Sequence, residues 1–497
     1  MPSKELLEYN PWWKKESEID NDPEIQKWEA SNLKWDPRLR HTFKHEDLIY
    51  SLRGPRQVGK TTLVKLMIRD FLGSNISKWN IMYYSFEVED SPRDVVNIID
   101  EYLSISKRFR KNSRSYIFLD EISYVNNWQK GIKKLWDMGK LKNCTVIATG
   151  SHSIDLRHAT EKLPGRRGKT NDTLDKIMPT MKFSEYVESI DKDLNKEIES
   201  RFMRSNKHRF DIIDKLLEGK IPDKFAELAV YQKELDTHLS NYLMTGGIAP
   251  AIDEFLQDGS ISEGTYKTYL DAMTGDLNKA NRGDSYLRQL MPNIISSMGN
   301  PVSWQTLKRN SDIGSHHTVE QYVQTLSEMF VLYFFYKYDA DKSSANFGSD
   351  KKIYFHDPFF FHALHGWIAQ KDPFDLSQKY LSDPENFSHL LECVVGDHMI
   401  RLAFGLTARK LTFDYPNSIF YWRGKNDREV DFIIKSDDKI IPIELKYQNS
   451  IKKEDQYGLI DFKKASKVKH SLLLTKDKLA VSTESVLIPT SLFLLLV

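Results

Sequence analysis

The run Gly54-Pro55-Arg56-Gln57-Val58-Gly59-Lys60-Thr61-Thr62 constrains the fold of this chain more than any other feature. It follows an apolar stretch at 48–52 and precedes Leu63, Val64, Leu66 and Met67 at helical spacing. The pattern G-x4-G-K-[ST] therefore sits between an expected strand and an expected helix, the setting in which it binds phosphate. Glycines let the backbone curl until its amides face one anion, and the helix N-terminus adds positive potential at the same point. Residues Gly54 through Thr62 are the expected nucleotide contacts, with ATP and Mg²⁺ as the expected cofactors. Lys60 reaches the β- and γ-phosphates, and the Thr61 hydroxyl reaches Mg²⁺.

Short apolar runs at 48–52, 81–86, 116–119, 145–149 and 177–183 alternate with amphipathic stretches, which predicts a parallel sheet covered by helices. The third run ends in Asp120-Glu121, at the strand edge where ligands of such sheets bind. Asp120 suits the Mg²⁺ shell and Glu121 the polarisation of attacking water; a solvated acidic strand end is the competing reading. The fourth run ends in Gly150-Ser151, and Ser151 is read as a γ-phosphate sensor or a plain turn hydroxyl. Arg166 and Arg167 follow in a Pro-Gly loop. Either is a candidate arginine finger for a neighbouring subunit's nucleotide, against simple solvation.

Charge excludes little but localises much. Lys plus Arg (71) nearly cancels Asp plus Glu (70), so any nucleic-acid surface must be a local patch. Cys144 and Cys393 stand apart with no CxxC spacing, which argues against a disulfide framework or a cysteine zinc site. The longest apolar runs, 329–335 and 492–497, fall far short of the ~20 residues that span a bilayer. The N-terminus lacks the apolar core of a secretory signal. A cytoplasmic protein with no membrane partner is expected.

The chain divides into an N-terminal extension (1–45), a P-loop domain (46–190), a helical lid or linker (191–290), a winged helix-turn-helix (291–345) and a separate α/β unit (350–497). In the fourth segment Val319, Tyr322, Val323, Leu326 and Phe330 share a helical face after the turn at 312–315. That helix could enter a DNA groove. It carries few Lys or Arg, so its residue types favour packing between domains.

The succession of P-loop, Asp-Glu strand, Thr-Gly-Ser, Pro-Gly-Arg and Phe183-Ser184-Glu185-Tyr186 resembles the AAA-type ATPases of archaea and bacteria that carry an uncharacterised C-terminal domain. Asn10-Pro11-Trp12-Trp13 and residues 52–62 resemble the archaeal branch. Tyr242-Leu243-Met244-Thr245-Gly246-Gly247 and Lys352-Ile353-Tyr354-Phe355-His356-Asp357-Pro358 match further signatures of that family. The charged stretch 191–240 matches it least.

Near the C-terminus, 429–434 and 441–446 are strand-like runs around Ser436-Asp437-Asp438-Lys439. A two-residue turn at Asp437-Asp438 places Asp431 opposite Glu444, with Lys446 on the same face. Facing carboxylates repel unless a cation lies between them, and a divalent metal is the expected one. The pattern resembles the D...ExK core of the PD-(D/E)xK nucleases. That resemblance implies Glu392 as a helical acidic ligand, with Asp431 and Glu444 binding metal and Lys446 assisting catalysis. A nuclease fold that has lost its enzyme is the competing reading.

The expected fold class is thus α/β multidomain: a P-loop AAA-type parallel sheet with helices, a helical and winged-helix middle region, and a C-terminal PD-(D/E)xK-like α/β domain. The function expected is an ATPase acting on nucleic acid, DNA in preference, as a homo-oligomer of which a ring is one form. The alternative is an ATP-gated oligomeric switch in defence or regulation, with a C-terminal domain that binds without cleaving.

Overall fold

The computed structural model describes residues 2–74, 76–109, 113–150, 153–171, 173–202, 206–280, 282–407, 413–424, 427–436, 439–466 and 468–497. They form two compact units, Met1–Thr180 and Met181–Val497.

In the first unit, strands β1 (Leu48–Arg53), β2 (Ile81–Ser85), β3 (Ser115–Asp120), β4 (Cys144–Thr149) and β5 (Asp175–Ile177) form one sheet in the order β2-β3-β4-β1-β5. Every pairing is parallel. Because helices cover both faces, β3 and β4 are buried from end to end, which explains their continuous apolar runs. The helix Lys60–Gly73 turns Leu63, Val64, Leu66, Met67 and Ile68 inward, as the spacing in the sequence requires.

An unprotected edge at β2 would invite pairing with another chain. The N-terminal extension covers it. Asn10 mimics a neighbouring strand: its side-chain amide donates to Tyr83 O (2.9 Å) and its carbonyl accepts from Tyr83 N (2.8 Å). The indole N–H groups of Trp12 and Trp13 both donate to Ile81 O, at 3.3 and 2.9 Å.

The fifth strand differs from expectation. It spans Asp175–Ile177, and Phe183 opens the helix Phe183–Ile190 instead of closing a strand. Met178 N still donates to Arg53 O (2.7 Å), but Met181 N donates to Gly247 O (2.9 Å), so the chain leaves the ladder before Phe183.

The second unit begins with helices, among them Lys192–Phe202, Asn206–Leu217, Gln232–Thr245, Glu263–Lys279 and Asp284–Ser296. The short helix Trp304–Leu307 and the helix His316–Glu328 follow, the latter capped by the Ser315 hydroxyl. Val319, Tyr322, Val323 and Leu326 are buried, so this face packs as its residue types suggested. Strands β6 (Leu332–Asp339) and β7 (Ser344–Phe355) then form an antiparallel hairpin.

That hairpin joins β8 (Ile419–Arg423), β9 (Glu429–Ser436), β10 (Lys439–Lys446), β11 (Leu472–Thr475), β12 (Ala480–Val481) and β13 (Val486–Pro489). The result is one mixed eight-stranded sheet, ordered β12-β13-β11-β10-β9-β8-β6-β7. The boundary expected at 345–350 therefore runs through β7, and the one at 290–291 runs through the helix Asp284–Ser296. The reason is physical: β6 pairs with both β7 and β8, so the hairpin belongs to the same sheet as the strands after it.

Candidate functional site

The loop between β1 and the helix Lys60–Gly73 is shaped by glycine. Gly59 takes φ +99° as the residue before the helix, and a Cβ at Gly54 would lie 2.1 Å from Met178 O. Gln57 also holds a left-handed φ of 56°, a strained backbone for a residue with a side chain. Lys60 curls back over the loop and donates to Gly54 O (3.2 Å) and Pro55 O (2.8 Å). Its ammonium is thereby held over the concavity that the glycines open.

Asp120, 2% exposed, ends β3 beside this loop. Its carboxylate accepts from Thr61 Oγ1 (2.9 Å), from Tyr83 OH (2.8 Å) and from the Thr149 hydroxyl. Three hydroxyl donors compensate its burial. The Thr61–Asp120 pair supplies the oxygens that a magnesium–nucleotide complex uses, so the residues present fit that group. Next along the chain, Glu121 has φ 50° and its N–H donates to Thr149 Oγ1 (3.1 Å).

Sequence reasoning missed Glu87, which follows β2. Burial, then the neighbouring Glu121 and Asp120 carboxylates, raise its carboxyl above the usual range. Its signal was present in the sequence, an acidic residue just past an expected strand. Ser151 lies outside the described residues.

The two arginines separate. Arg167 is tied into the sheet, donating to Ile49 O (3.1 Å), Leu174 O (2.9 Å) and Asp175 Oδ2 (3.0 Å). It bridges β1 to the segment entering β5, which is a structural duty. Arg166 is more exposed, paired with Asp137 at 2.7 Å and with Pro164 O at 3.2 Å.

In the second unit, β9 and β10 pair with Ile443 opposite Phe432 and Ile441 opposite Ile434. This is the register in which Asp431 faces Glu444; the turn residues Asp437 and Asp438 lie outside the described residues. The two carboxylates interlock with backbone: Asp431 N donates to Glu444 Oε2 (3.2 Å) and Leu445 N to Asp431 Oδ2 (2.9 Å). Lys446 Nζ meets Glu444 Oε1 at 2.5 Å. Glu392, on the helix Pro384–Leu406, joins them.

The cation between these carboxylates is a lysine. Lys352, from β7, sits 3.1 Å from both Glu392 Oε1 and Asp431 Oδ1 and also pairs with Glu429. Tyr354 OH donates to Glu392 Oε1 (2.6 Å). Burial, then Asp431, pushes the Glu444 carboxyl up to about 8. Burial pushes Glu392 up to about 7 against the pull of Lys352; burial pulls Lys352 down, but the carboxylates around it together hold its pKa well above normal. Among the described residues, no group of three or more His, Cys, Asp or Glu is arranged to hold a metal ion. Two ammonium groups, those of Lys352 and Lys446, lie among these carboxylates. Lys352 was missed as a site residue because β7 meets β9 only through the folded sheet, whereas Glu429, two positions before Asp431 on β9, shares its face and was within reach of the sequence.

Residues 46–187 match the family described as an AAA domain, and the parallel five-stranded sheet fits a P-loop AAA fold. Residues 236–371 and 387–493 match two families described only as domains of unknown function, DUF8612 and DUF4143. An uncharacterized protein of Methanocaldococcus jannaschii is 26% identical over 226 residues, covering 44% of this chain and 41% of that one. The chain therefore spans about two fifths of that relative's length. An uncharacterized protein of Haemophilus influenzae is 22% identical over 421 residues, covering 82% and 84%. Among solved structures, a Walker-type ATPase of Pyrococcus abyssi aligns with a TM-score of 0.38 at 14% identity, covering 71% of this chain and 97% of that one. Cdc6p of Pyrobaculum aerophilum aligns with a TM-score of 0.23 at 11% identity, covering 74% and 97%. No helix among the described residues is long and apolar enough to cross a membrane.

Proposed function

We propose that the chain is an ATP-hydrolysing AAA-type ATPase that acts on nucleic acid, remodelling, translocating or repairing DNA, with a nuclease-like C-terminal domain. One observation carries the ATPase reading: Lys60, Thr61 and Asp120 converge beside a glycine-shaped loop at the end of a parallel strand. In this reading the loop amides and Lys60 hold the phosphates, while Thr61 and Asp120 hold Mg²⁺. When bound, the metal neutralises charge that develops on the phosphoryl oxygens. Glu121 orients the attacking water, and Arg166 serves a neighbouring subunit. We place the protein in the cytoplasm as a homo-oligomer.

Support for the nucleic-acid part is of another kind. The helix pair Trp304–Leu307 and His316–Glu328 precedes a β-hairpin. Glu392, Asp431 and Glu444-x-Lys446 occur on a helix and two adjacent strands in the order that the nuclease resemblance implies. The second reading, an ATP-gated oligomeric switch whose C-terminal domain binds without cutting, is favoured by Lys352 among the carboxylates.

The test is an ATPase and cleavage assay on single-stranded, duplex, forked and four-way DNA with Mg²⁺. Stimulation of hydrolysis by one of these substrates is expected. Tight nucleotide retention with no stimulation would favour the switch. Lys60→Ala should weaken ATP binding. Glu121→Gln should bind ATP but hydrolyse it roughly 10²-fold or more slowly; an unchanged rate would remove Glu121 from its role.

A further inference from the structure

We infer that Lys352 is the resident cation of the C-terminal carboxylate centre, so that this centre takes no divalent metal in the native chain and supports no metal-dependent cleavage. The inference rests on the geometry of the second unit alone and does not depend on ATP hydrolysis.

An ammonium group has three N–H donors. Around Lys352 Nζ stand three carboxylates: Glu392 Oε1 and Asp431 Oδ1, each at 3.1 Å, and Glu429. Donors and acceptors match one for one. The Lys352 side chain is 1% exposed, so its charge has no water to fall back on and needs all three partners.

Both oxygens of Asp431 and Glu444, and one each of Glu392 and Glu429, already accept hydrogen bonds. Asp431 Oδ2 accepts from Leu445 N, Glu392 Oε1 also accepts from Tyr354 OH, and the two Glu444 oxygens accept from Lys446 and from Asp431 N. The 3.1 Å spacing to Lys352 is that of hydrogen bonds, whereas Mg²⁺ and Ca²⁺ hold oxygens at about 2.0 to 2.6 Å. A divalent ion entering here would either expel a buried ammonium or sit against it. Both outcomes oppose binding.

The converse follows from the same charges. With Lys352 replaced by an apolar side chain of similar length, Glu392, Glu429 and Asp431 lose the ammonium they share, and Lys446 alone remains against Glu444. That uncompensated negative charge attracts a hard divalent cation, which the freed side chains must re-aim to ligate.

The experiment titrates Mn²⁺ into the full-length protein without nucleotide, followed by calorimetry and by the paramagnetic signal of free Mn²⁺. Wild type, Asp431→Asn, Lys352→Met and Lys352→Met/Asp431→Asn are compared. Any weak binding at the P-loop is common to all four and cancels. Wild type and Asp431→Asn should bind equally. Lys352→Met should gain one Mn²⁺ per chain, with affinity at least tenfold above the common background, and Asp431→Asn should abolish that gain. A wild-type site lost in Asp431→Asn overturns the inference, as does a folded Lys352→Met that gains no site. Should Lys352→Met fail to fold, wild type against Asp431→Asn decides alone: equal binding supports the inference and unequal binding ends it. ATP hydrolysis is measured on the same samples, so loss of the ATPase reading is seen separately from loss of this one.

Discussion

At the scale of single residues, burial makes charge expensive, and the second unit handles that expense in two opposite ways. Burial pushes the carboxyls of Glu392 and Glu444 up to about 7 and about 8. The folded state therefore holds more protons at these groups than the unfolded chain between about pH 4.5 and those values, and stability falls as pH rises through that window. Two buried histidines oppose this at lower pH. His398 is pushed down to about 3, and its neutral form is fixed by donation from Nδ1 to Val394 O (2.8 Å) while Nε2 accepts from Phe183 N (3.0 Å). His362 is pushed down to about 4, again by burial. Their contribution to stability is present above the ordinary histidine pKa of about 6.5 and is lost as pH falls below it. Between pH 6.5 and 8 the two glutamates outweigh the histidines, whose unfolded-state titration is ending, so the melting temperature should decline across that interval. The double variant Glu392→Gln/Glu444→Gln should flatten this alkaline limb and steepen the rise between about pH 4.5 and 6.5, where the glutamates had opposed the histidines. Parallel curves for wild type and variant from pH 6.5 to 8 would show that the two carboxyls ionise normally.

At the scale of elements, what a sequence reveals depends on how local the determining contact is. The loop at 54–62 and the strand ending in Asp120 were legible because each function is written within a few consecutive residues. The register of β9 on β10 was legible for the same reason, since a two-residue connection leaves one pairing that keeps both apolar faces inward. Lys352 was not legible as a site residue: its partner Asp431 lies 79 positions away, and only the shared sheet brings β7 to β9. Which of the two arginines is tied into the sheet was not legible, because nothing in Pro-Gly-Arg-Arg says which one finds three acceptors indoors. The expected strand over 177–183 ended early because Met181 N is taken by Gly247 O, a contact that no local pattern announces. The N-terminal extension was expected to pack on the next domain, but its means were not visible: Asn10 serves β2 as a substitute strand. Asn10→Ala should leave Tyr83 N and O unpaired at 0% exposure of the Asn10 site and destabilise the first unit by about 1 to 3 kcal/mol. Urea denaturation reads that loss. Light scattering should also rise, since an uncovered edge recruits other chains. A variant as stable and as monodisperse as wild type would deny Asn10 this role.

At the scale of the whole molecule, the open matter is whether one chain contains a complete ATPase, and the two arginines make it testable. Arg167 is spent within its own unit, held by two backbone carbonyls and Asp175. Arg167→Ala should therefore destabilise the first unit and is a poor probe of catalysis. Arg166 pairs with Asp137, whose side chain is 46% exposed. Exposed pairs of this kind contribute only about 0 to 1 kcal/mol, so Arg166 could be redirected toward a neighbour's γ-phosphate at small cost. If it acts there, Arg166→Ala should fold normally, bind ATP and hydrolyse it roughly 10³-fold more slowly. Lys60→Ala should be inactive for a different reason, having an intact arginine but no competent loop. Mixing the two inactive variants in equal amounts should then restore hydrolysis, because roughly a quarter of the interfaces in a random closed oligomer pair an intact loop with an intact arginine. Subunit exchange must be allowed before the assay, and a mixture of Lys60→Ala with wild type calibrates how freely subunits redistribute. Recovery in the mixed sample, absent from either variant alone, is the expected result. A fully active monomer, or exchange without recovery, would remove Arg166 from the reaction and leave each chain to hydrolyse ATP with its own residues.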